Sequence, residues 1–404
     1  MSAPVEGPAA PARVLLTEAS SLTAREYITV LGAAGCHIEA LSSDGLALSR
    51  WSKWLSRTHR CPAAGHDPVG YSRVLTSVAE AGNFDAILST HEDAWLFAAR
   101  PSLFPTGLSL TTSNAQSFRR ATNKLEFARL ADEIGLPQPD WAETTADRQS
   151  FDYPYYLKAP YGTAGSGVRL VLDDNSRRRA TRDLGQDQPL LAQRPAGGTY
   201  AQVQGIFEHG RLAAVHTSEK RASGIGGSAA ARLSVDHPLP RKHIALLGEA
   251  LAWHGGLTMD YFHQDGHPLY IECNPRTVEP FNAAASGVDL PALSIQQSRG
   301  QSLPAGVRIG KPGIRTHSLA AVSLGVASIT GRRSAVLTEL AAALSQRGTY
   351  RNSTEALTPR QDPPSLLPLA AILSAVLIRP RFAEVLAGRA VRNYAVVPAV
   401  DDPT

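Results

Sequence analysis

Glu272-Cys273-Asn274-Pro275-Arg276 closes a strand and sets a carboxylate, an amide and a guanidinium at alternate positions. Side chains two apart on an extended chain share a face, so Glu272, Asn274 and Arg276 are expected in one site while Cys273 points away. A carboxylate with a carboxamide oxygen suits Mg²⁺, a hard cation that keeps several waters and bridges to phosphate oxygens. An arginine beside them can fork onto a phosphoryl group. The same run also reads as a plain strand-end turn with Asn-Pro as its punctuation. Just upstream, residues 258–263 and 269–272 flank Gln264-Asp265-Gly266-His267, a hairpin signal. Asp260 on the first of these strands can supply a second carboxylate to the same metal, with an exposed edge acid as its bland alternative. An odd-numbered turn is needed for that; a two-residue Asp-Gly turn puts Asp260 and Glu272 on opposite faces.

A second constellation lies about a hundred residues earlier. Lys158 ends a predicted strand over 155–159, and the loop Gly162-Thr163-Ala164-Gly165-Ser166-Gly167 follows it. Glycines let backbone N–H groups approach phosphate oxygens, and the lysine adds a point charge. No Gly-Lys-Ser/Thr opens a helix here, so this is not a Walker A motif. A flexible hairpin loop is the competing reading.

Around these motifs the chain changes character twice. Predicted strands at 13–17, 37–41 and 84–88 alternate with helical stretches at 22–34 and 69–81, which implies a parallel, Rossmann-like sheet for the first hundred residues. Gly35 stands where a helix-ending glycine belongs. Glu18-Ala19-Ser20-Ser21 occupies the place of a GxGxxG turn, so dinucleotide binding is not indicated. Pro101, Pro105 and Gly107 mark a boundary near 105–115. An amphipathic helix is expected over 115–135, broken by Leu136-Pro137-Gln138-Pro139. Strands at 168–172, 190–193, 201–207 and 212–216 make the middle region α+β with antiparallel pairs. From about 305 the chain turns Ala/Leu-rich and helical. No internal repeat is evident.

With 404 residues, 43% hydrophobic and 19% charged, the chain has the composition of an ordinary globular protein of two or three domains. Its net charge of +4 suits anionic ligands but is too diffuse for nucleic acid, and no finger-type cysteine spacing or aromatic-interleaved basic stripe appears. Cys36, Cys61 and Cys273 are too scattered for a disulfide framework. The start, MSAPVEGPAAPAR, lacks the basic and apolar regions of a signal peptide. A cytoplasmic protein is expected.

Taken in order, Asn123-Lys124, Gly135-Leu136-Pro137-Gln138-Pro139, Tyr153-Pro154-Tyr155-Tyr156-Leu157-Lys158, the loop 162–167, Gln193-Arg194-Pro195-Ala196-Gly197-Gly198, and Asp260 with the 272–276 run resemble the ATP-grasp superfamily. The likeness is to its carbamoyl-phosphate-synthetase-like carboxylate–amine ligases and covers roughly residues 110–300. It implies an N-terminal Rossmann-like domain over 1–110, a two-lobed ATP-grasp core over 111–305 and a mostly helical extension over 306–404. It also implies that Lys124 and Lys158 reach the phosphates of ATP, with Gly162, Thr163, Gly165, Ser166 and Gly167 closing over them. Gln193, Arg194 and Ala196 would form the hinge meeting adenine. Glu272 would bridge two Mg²⁺ ions (Mn²⁺ serving in their place), with Asn274 and Asp260 completing the coordination and Arg276 on the moving phosphate. The implied activity activates a carboxylate as an acyl phosphate and transfers it to an amine. A bicarbonate or thiol acceptor, or a catalytically silent nucleotide-binding module, are the alternatives. Two departures stand out: Asn123 replaces the usual Asp, and Gln193 with Thr199-Tyr200 replaces the acids expected near adenine and ribose.

Substrate contacts are expected in a loop containing Lys220, Arg221, Gly227 and Ser228, with Arg232 beyond it and His216, Glu279 and Asn282 nearby. The basic trio suits an anionic carboxylate and Glu279 an amine, although any one of them also reads as a solvated loop charge. His91-Glu92-Asp93, after the third predicted strand, could border a cleft at the strand carboxyl ends, but a plain helix N-terminus is the better reading of the acidic pair. The stretch Leu366–Ile378 is apolar on nearly every face and is followed by Arg379, Arg381, Arg389 and Arg392. It fits a helical hairpin packed on the core or at a homodimer interface better than a peripheral membrane anchor over 364–392.

Overall fold

The run RVLL forms β1 (Arg13–Leu16), with three of its four residues buried, in the computed structural model, which describes residues 11–45, 47–104, 111–145, 149–162, 165–185, 188–394 and 396. Helix α1 (Leu22–Ala33) starts where the Ser21 hydroxyl accepts the Ala24 N–H. It ends at Gly35, whose φ of 80° lets the Cys36 N–H turn back onto the Leu31 carbonyl. Then come β2 (His37–Ser42), β3 (Leu55–Arg60), α2 (Pro68–Gly82), β4 (Ala86–Leu88) and α3 (Ala94–Ala99). The four strands lie in the order β3-β2-β1-β4 and all pair in parallel. Polar LSRTHR in β3 carries no apolar alternation, which is why it escaped the sequence reading. Pro105 and Gly107, expected at the boundary, lie outside the described residues.

The single helix expected over 115–135 is two, α4 (Ala115–Thr122) and α5 (Lys124–Glu133). Asn123 separates them with ψ 117°, and its side-chain oxygen accepts the N–H groups of Leu125 and Glu126. Asparagine is a strong N-cap, so the chain restarts rather than continues, and Lys124 becomes the first residue of the second helix. Next, β5 (Trp141–Thr144), β6 (Tyr155–Lys158), β7 (Val168–Val171), α6 (Asp174–Leu184) and β8 (Leu190–Gln193) build a small antiparallel sheet in the order β5-β8-β6-β7. Its own core of Tyr155, Leu157, Val171 and Leu190 packs against Ala180 and Leu184 of α6.

The large sheet follows. Its elements are β9 (Thr199–Glu208), β10 (Arg211–Ser223), β11 (Ala229–Ser234), α7 (Pro238–Ala250), β12 (Gly255–Gln264), β13 (His267–Asn274), α8 (Phe281–Ala285), α9 (Leu290–Ser298), β14 (Arg308–Ile309), β15 (Arg315–His317), α10 (Leu319–Thr330), α11 (Arg333–Leu344), β16 (Ser353–Glu355), α12 (Leu366–Ile378) and α13 (Phe382–Tyr394). The strand order is β13-β12-β9-β10-β11-β15-β16, with β14 beside β10. Because β10 runs to Ser223, Lys220 and Arg221 are strand residues and not loop residues, a correction to the expected position.

One apolar cluster joins the parallel sheet to the large one, running from Leu15 and Trp95 through Phe118 and Phe127 to Phe207, Trp253, Met259 and Tyr261. A second gathers Leu369, Ile372 and Val376 of α12 with Val322, Val336 and Leu340. So α12 buries one face on the helices before it, while Leu366, Leu367 and Ile378 stay exposed. No helix among the described residues is long and apolar enough to cross a membrane. The side chains of Arg389 and Arg392 lie outside the described residues.

A buried ion pair ties the two ends of the fold together. Arg25 of α1 meets Asp362 at 2.6 Å, with both side chains at 1% exposure or less. Asp362 also accepts the Ser52 hydroxyl at 2.6 Å and the Lys53 N–H at 2.8 Å. Removing one partner strands the other charge, so Asp362→Asn should cost about 3–5 kcal/mol of unfolding free energy, read by urea denaturation.

Candidate active site

The hairpin β12–β13 turns on Asp265 and Gly266, with φ of 50° and 80° and Gln264 opposite His267. This is the two-residue turn that should have put Asp260 and Glu272 on opposite faces. A bulge corrects it. Tyr261 pairs with Tyr270 but Asp260 pairs with Glu272, so Ile271 is the extra residue, and the register shifts by one. Asp260 and Glu272 therefore stand directly opposite each other on one face, and Asn274 joins them opposite Thr258. The unpaired Ile271 carbonyl is not wasted: it accepts Lys158 Nζ at 3.2 Å.

Both lysines converge here. Lys158, buried at the end of β6, also donates to Gln193 Oε1 at 2.6 Å. Lys124, placed at the head of α5 by its Asn123 cap, lies 3.4 Å from Glu272 Oε1 and 3.3 Å from the Gly162 carbonyl. Burial, with the Lys124 charge beside it, brings the Lys158 ammonium down to about 8, though Glu272 works the other way. Burial and then the Glu272 charge push the Asp260 carboxyl up to about 6. Two adjacent carboxylates that resist sharing negative charge are relieved by a cation between them. Their oxygens are the hard donors that Mg²⁺ takes, so Asp260, Glu272 and Asn274 fit the metal.

The glycine loop is pinched at its base. A Cβ on Gly167 would meet the Tyr161 carbonyl at 2.8 Å, and one on Gly162 would meet Gly167 Cα at 2.9 Å. Gly165, at φ 75°, brings the described end of the loop to the Gly226 carbonyl. Thr163 lies outside the described residues. Ser166 flanks Gly167 and its carbonyl accepts Arg169 Nη1. Beyond β8 the chain runs irregularly past Arg194, stacked over the Phe151 ring, and half-buried Ala196.

Strand alternation extends the polar face across the large sheet. Gln202 stands between Asp260 and Ser218, and Gln204 between Thr258 and His216. Gln202 donates to Asp260 Oδ1 at 2.7 Å and accepts Arg232 Nη1, so it couples the carboxylate pair to the arginine. Arg232 is buried and pairs with Glu279 at 2.6 Å. Lys220 lies over the Tyr200 ring at 4.5 Å and donates to the Gly227 carbonyl at 2.9 Å, next to Ser228, whose hydroxyl closes on Ile225. His216 is buried, and burial brings its imidazole down to about 3. Buried Asn282 beside it donates to Thr316 at 3.0 Å. A cleft beside Arg232 is lined by Glu26, Glu279, Thr316 and His317. Burial and the Glu279 charge push the Glu26 carboxyl up to about 8.

Two expected residues are directed elsewhere. Arg221 sits at a register shift of β10 and pairs with Glu219, away from Lys220, so it leaves this face. Arg276 lies past the end of β13, where strand alternation no longer holds, and meets Glu92 at 3.0 Å. Glu92, for which a helix start was the preferred reading over a cleft border, is thus the partner of Arg276. Gln202 and Gln204 were also missed, although their polar period of two against Ala201, Val203 and Gly205 was visible.

No family model matches the chain. It is 22% identical over 219 residues to the carbamoyl phosphate synthase large chain of Pyrococcus furiosus, covering 50% of this chain and 21% of that protein. The chain thus spans about a fifth of the length of the curated relatives it matches. Among solved structures it resembles the L-amino acid ligase of Bacillus licheniformis (16% identity, TM-score 0.52, 72% of this chain and 75% of that one). It also resembles the biotin carboxylase domain of the Hydrogenobacter thermophilus 2-oxoglutarate carboxylase, solved with MgADP and bicarbonate (14%, TM-score 0.57, 74% and 72%).

Protons compete with a divalent cation for Asp260. Mn²⁺ or Mg²⁺ affinity should therefore hold steady above neutrality and fall as the pH drops through about 6, by up to about tenfold per unit. Titration followed by water-proton relaxation checks this, and Asp260→Asn should flatten the pH dependence.

Proposed function

We propose that this chain, which carries the ATP-grasp fold, is an ATP- and Mg²⁺-dependent ligase that activates a carboxylate and joins it to an amine. The observation that carries the reading is the convergence of Lys124, Lys158, Asp260 and Glu272 where the small sheet meets the large one. Each group matches one need of phosphoryl transfer from ATP, which is mostly positioning and charge stabilisation. Lys124 and Lys158 are placed to neutralise phosphate oxygens, and the pinched glycine loop offers backbone N–H groups beside them. Asp260, Glu272 and Asn274 would hold Mg²⁺, which would neutralise charge developing on the phosphate oxygens. Arg276 follows the C-terminal end of β13, where Glu92 holds it away from this group.

In this reading a substrate carboxylate oxygen attacks the γ-phosphorus and ADP leaves. The amine then attacks the carbonyl carbon of the acyl phosphate, the C–O bond breaks, and phosphate departs as the amine loses a proton. Arg232 and Lys220 suit the anionic acid, and Glu26 and Glu279 suit a protonated amine, so an amino acid is the favoured partner. Domains over 1–110, 111–305 and 306–404 belong to the same reading. The exposed apolar residues Leu366, Leu367, Ile378, Phe382 and Val385 support a homodimer.

A pooled screen of amino acids and carboxylates should find a pair that drives ADP release, with both members required. Glu272→Gln should lower that rate on the order of a hundredfold or more while a fluorescent ATP analogue still binds. ADP release at the wild-type rate in Glu272→Gln would sink the assignment.

A further inference from the structure

The opposite face of the large sheet carries a second cluster. Strand alternation sends Glu219 of β10 and Tyr261 and His263 of β12 away from Asp260. His237, the residue before α7, comes over them. The Nε2 atoms of His263 and His237 lie 3.2 and 3.7 Å from one and the same oxygen, Glu219 Oε1. All three candidate donor atoms fall within 4.8 Å of one another. Ligands about 2.0–2.1 Å from a tetrahedral zinc ion stand roughly 3.3 Å apart, which matches this spacing.

The surroundings favour ligation over a simple hydrogen-bonded group. Both ring nitrogens of His263 are buried without a hydrogen bond among the described residues, although Nε2 faces the carboxylate. His237 Nδ1 lies 2.9 Å from the Tyr261 hydroxyl. In the tautomer that donates Nδ1–H to Tyr261, the Nε2 lone pair points at the cluster, the usual support for a metal-bound histidine. Arg221 holds the other oxygen of Glu219 at 3.1 Å and so leaves Oε1 turned inward. The three side chains keep 10–14% of their surface exposed, enough for water to complete a four-coordinate ion.

We propose that Glu219, His237 and His263 form a zinc-type transition-metal site that clasps β10, β12 and the start of α7. Two imidazoles and one carboxylate select Zn²⁺ or a neighbouring transition metal over Mg²⁺. The site is separate from the nucleotide face and stands whether or not the ligase reading holds.

The test uses the full chain without a histidine tag, stripped with chelator and reloaded with Zn²⁺. Metal analysis after gel filtration should give one Zn²⁺ per chain, with a raised melting temperature and, for Co²⁺, the visible bands of a tetrahedral ion. His263→Gln and Glu219→Gln should each weaken Zn²⁺ at least a hundredfold in chelator competition, and Tyr261→Phe roughly tenfold. Circular dichroism checks that each variant folds, and Asp260→Asn should keep its Zn²⁺. No stoichiometric Zn²⁺ in the wild-type chain would overturn the site. So would Zn²⁺ that survives His263→Gln but is lost in Asp260→Asn.

Discussion

One extra residue in β13 organises the candidate active site. Without Ile271 as a bulge, the two-residue turn at Asp265-Gly266 would set Asp260 and Glu272 on opposite faces of the hairpin. With it, the two carboxylates face each other and the freed carbonyl of Ile271 takes hold of Lys158. A local irregularity thereby does two things at once: it builds an anionic pair and anchors a cation from another sheet beside it. Bulges recur next to active sites because they re-aim side chains without breaking the strand.

The remaining geometry hangs from that point. Lys124 reaches Glu272 because Asn123 ends one helix and caps the next, so that the lysine opens α5. Gln202 extends the polar row from Asp260 to Arg232, and Arg232 passes it on to Glu279. The groups sit in a poorly solvated seam, where charges act strongly on one another. That explains why the Asp260 carboxyl holds its proton up to about 6 and the Lys158 ammonium loses its own at about 8.

Much of this was legible in the residues. Short apolar runs separated by helical stretches foretold the parallel strands β1, β2 and β4, and the 272–276 run foretold that Glu272 and Asn274 share a face. That Asp260 stands opposite Glu272 was not legible, since strand parity alone cannot reveal a bulge. Arg276 was misplaced because alternation was carried past the end of the strand, where Pro275 bends the chain. Arg221 reads as a loop residue because the polar TSEKRAS end of β10 conceals a strand that lasts thirteen residues. Long-range partners were out of reach altogether: nothing local in Glu92 points to Arg276, and nothing in Arg25 points to Asp362, 337 positions away. The Glu219, His237 and His263 cluster is of the same kind, spread over forty-odd residues and joined only when β10, β12 and α7 pack.

The chemistry itself can be followed by isotope. With a carboxylate substrate labelled with ¹⁸O in its carboxyl group, one label should pass into the released phosphate at each turnover, because the attacking oxygen leaves with phosphorus. Phosphate free of label, released in step with product, would contradict carboxyl activation at the Asp260–Glu272 face.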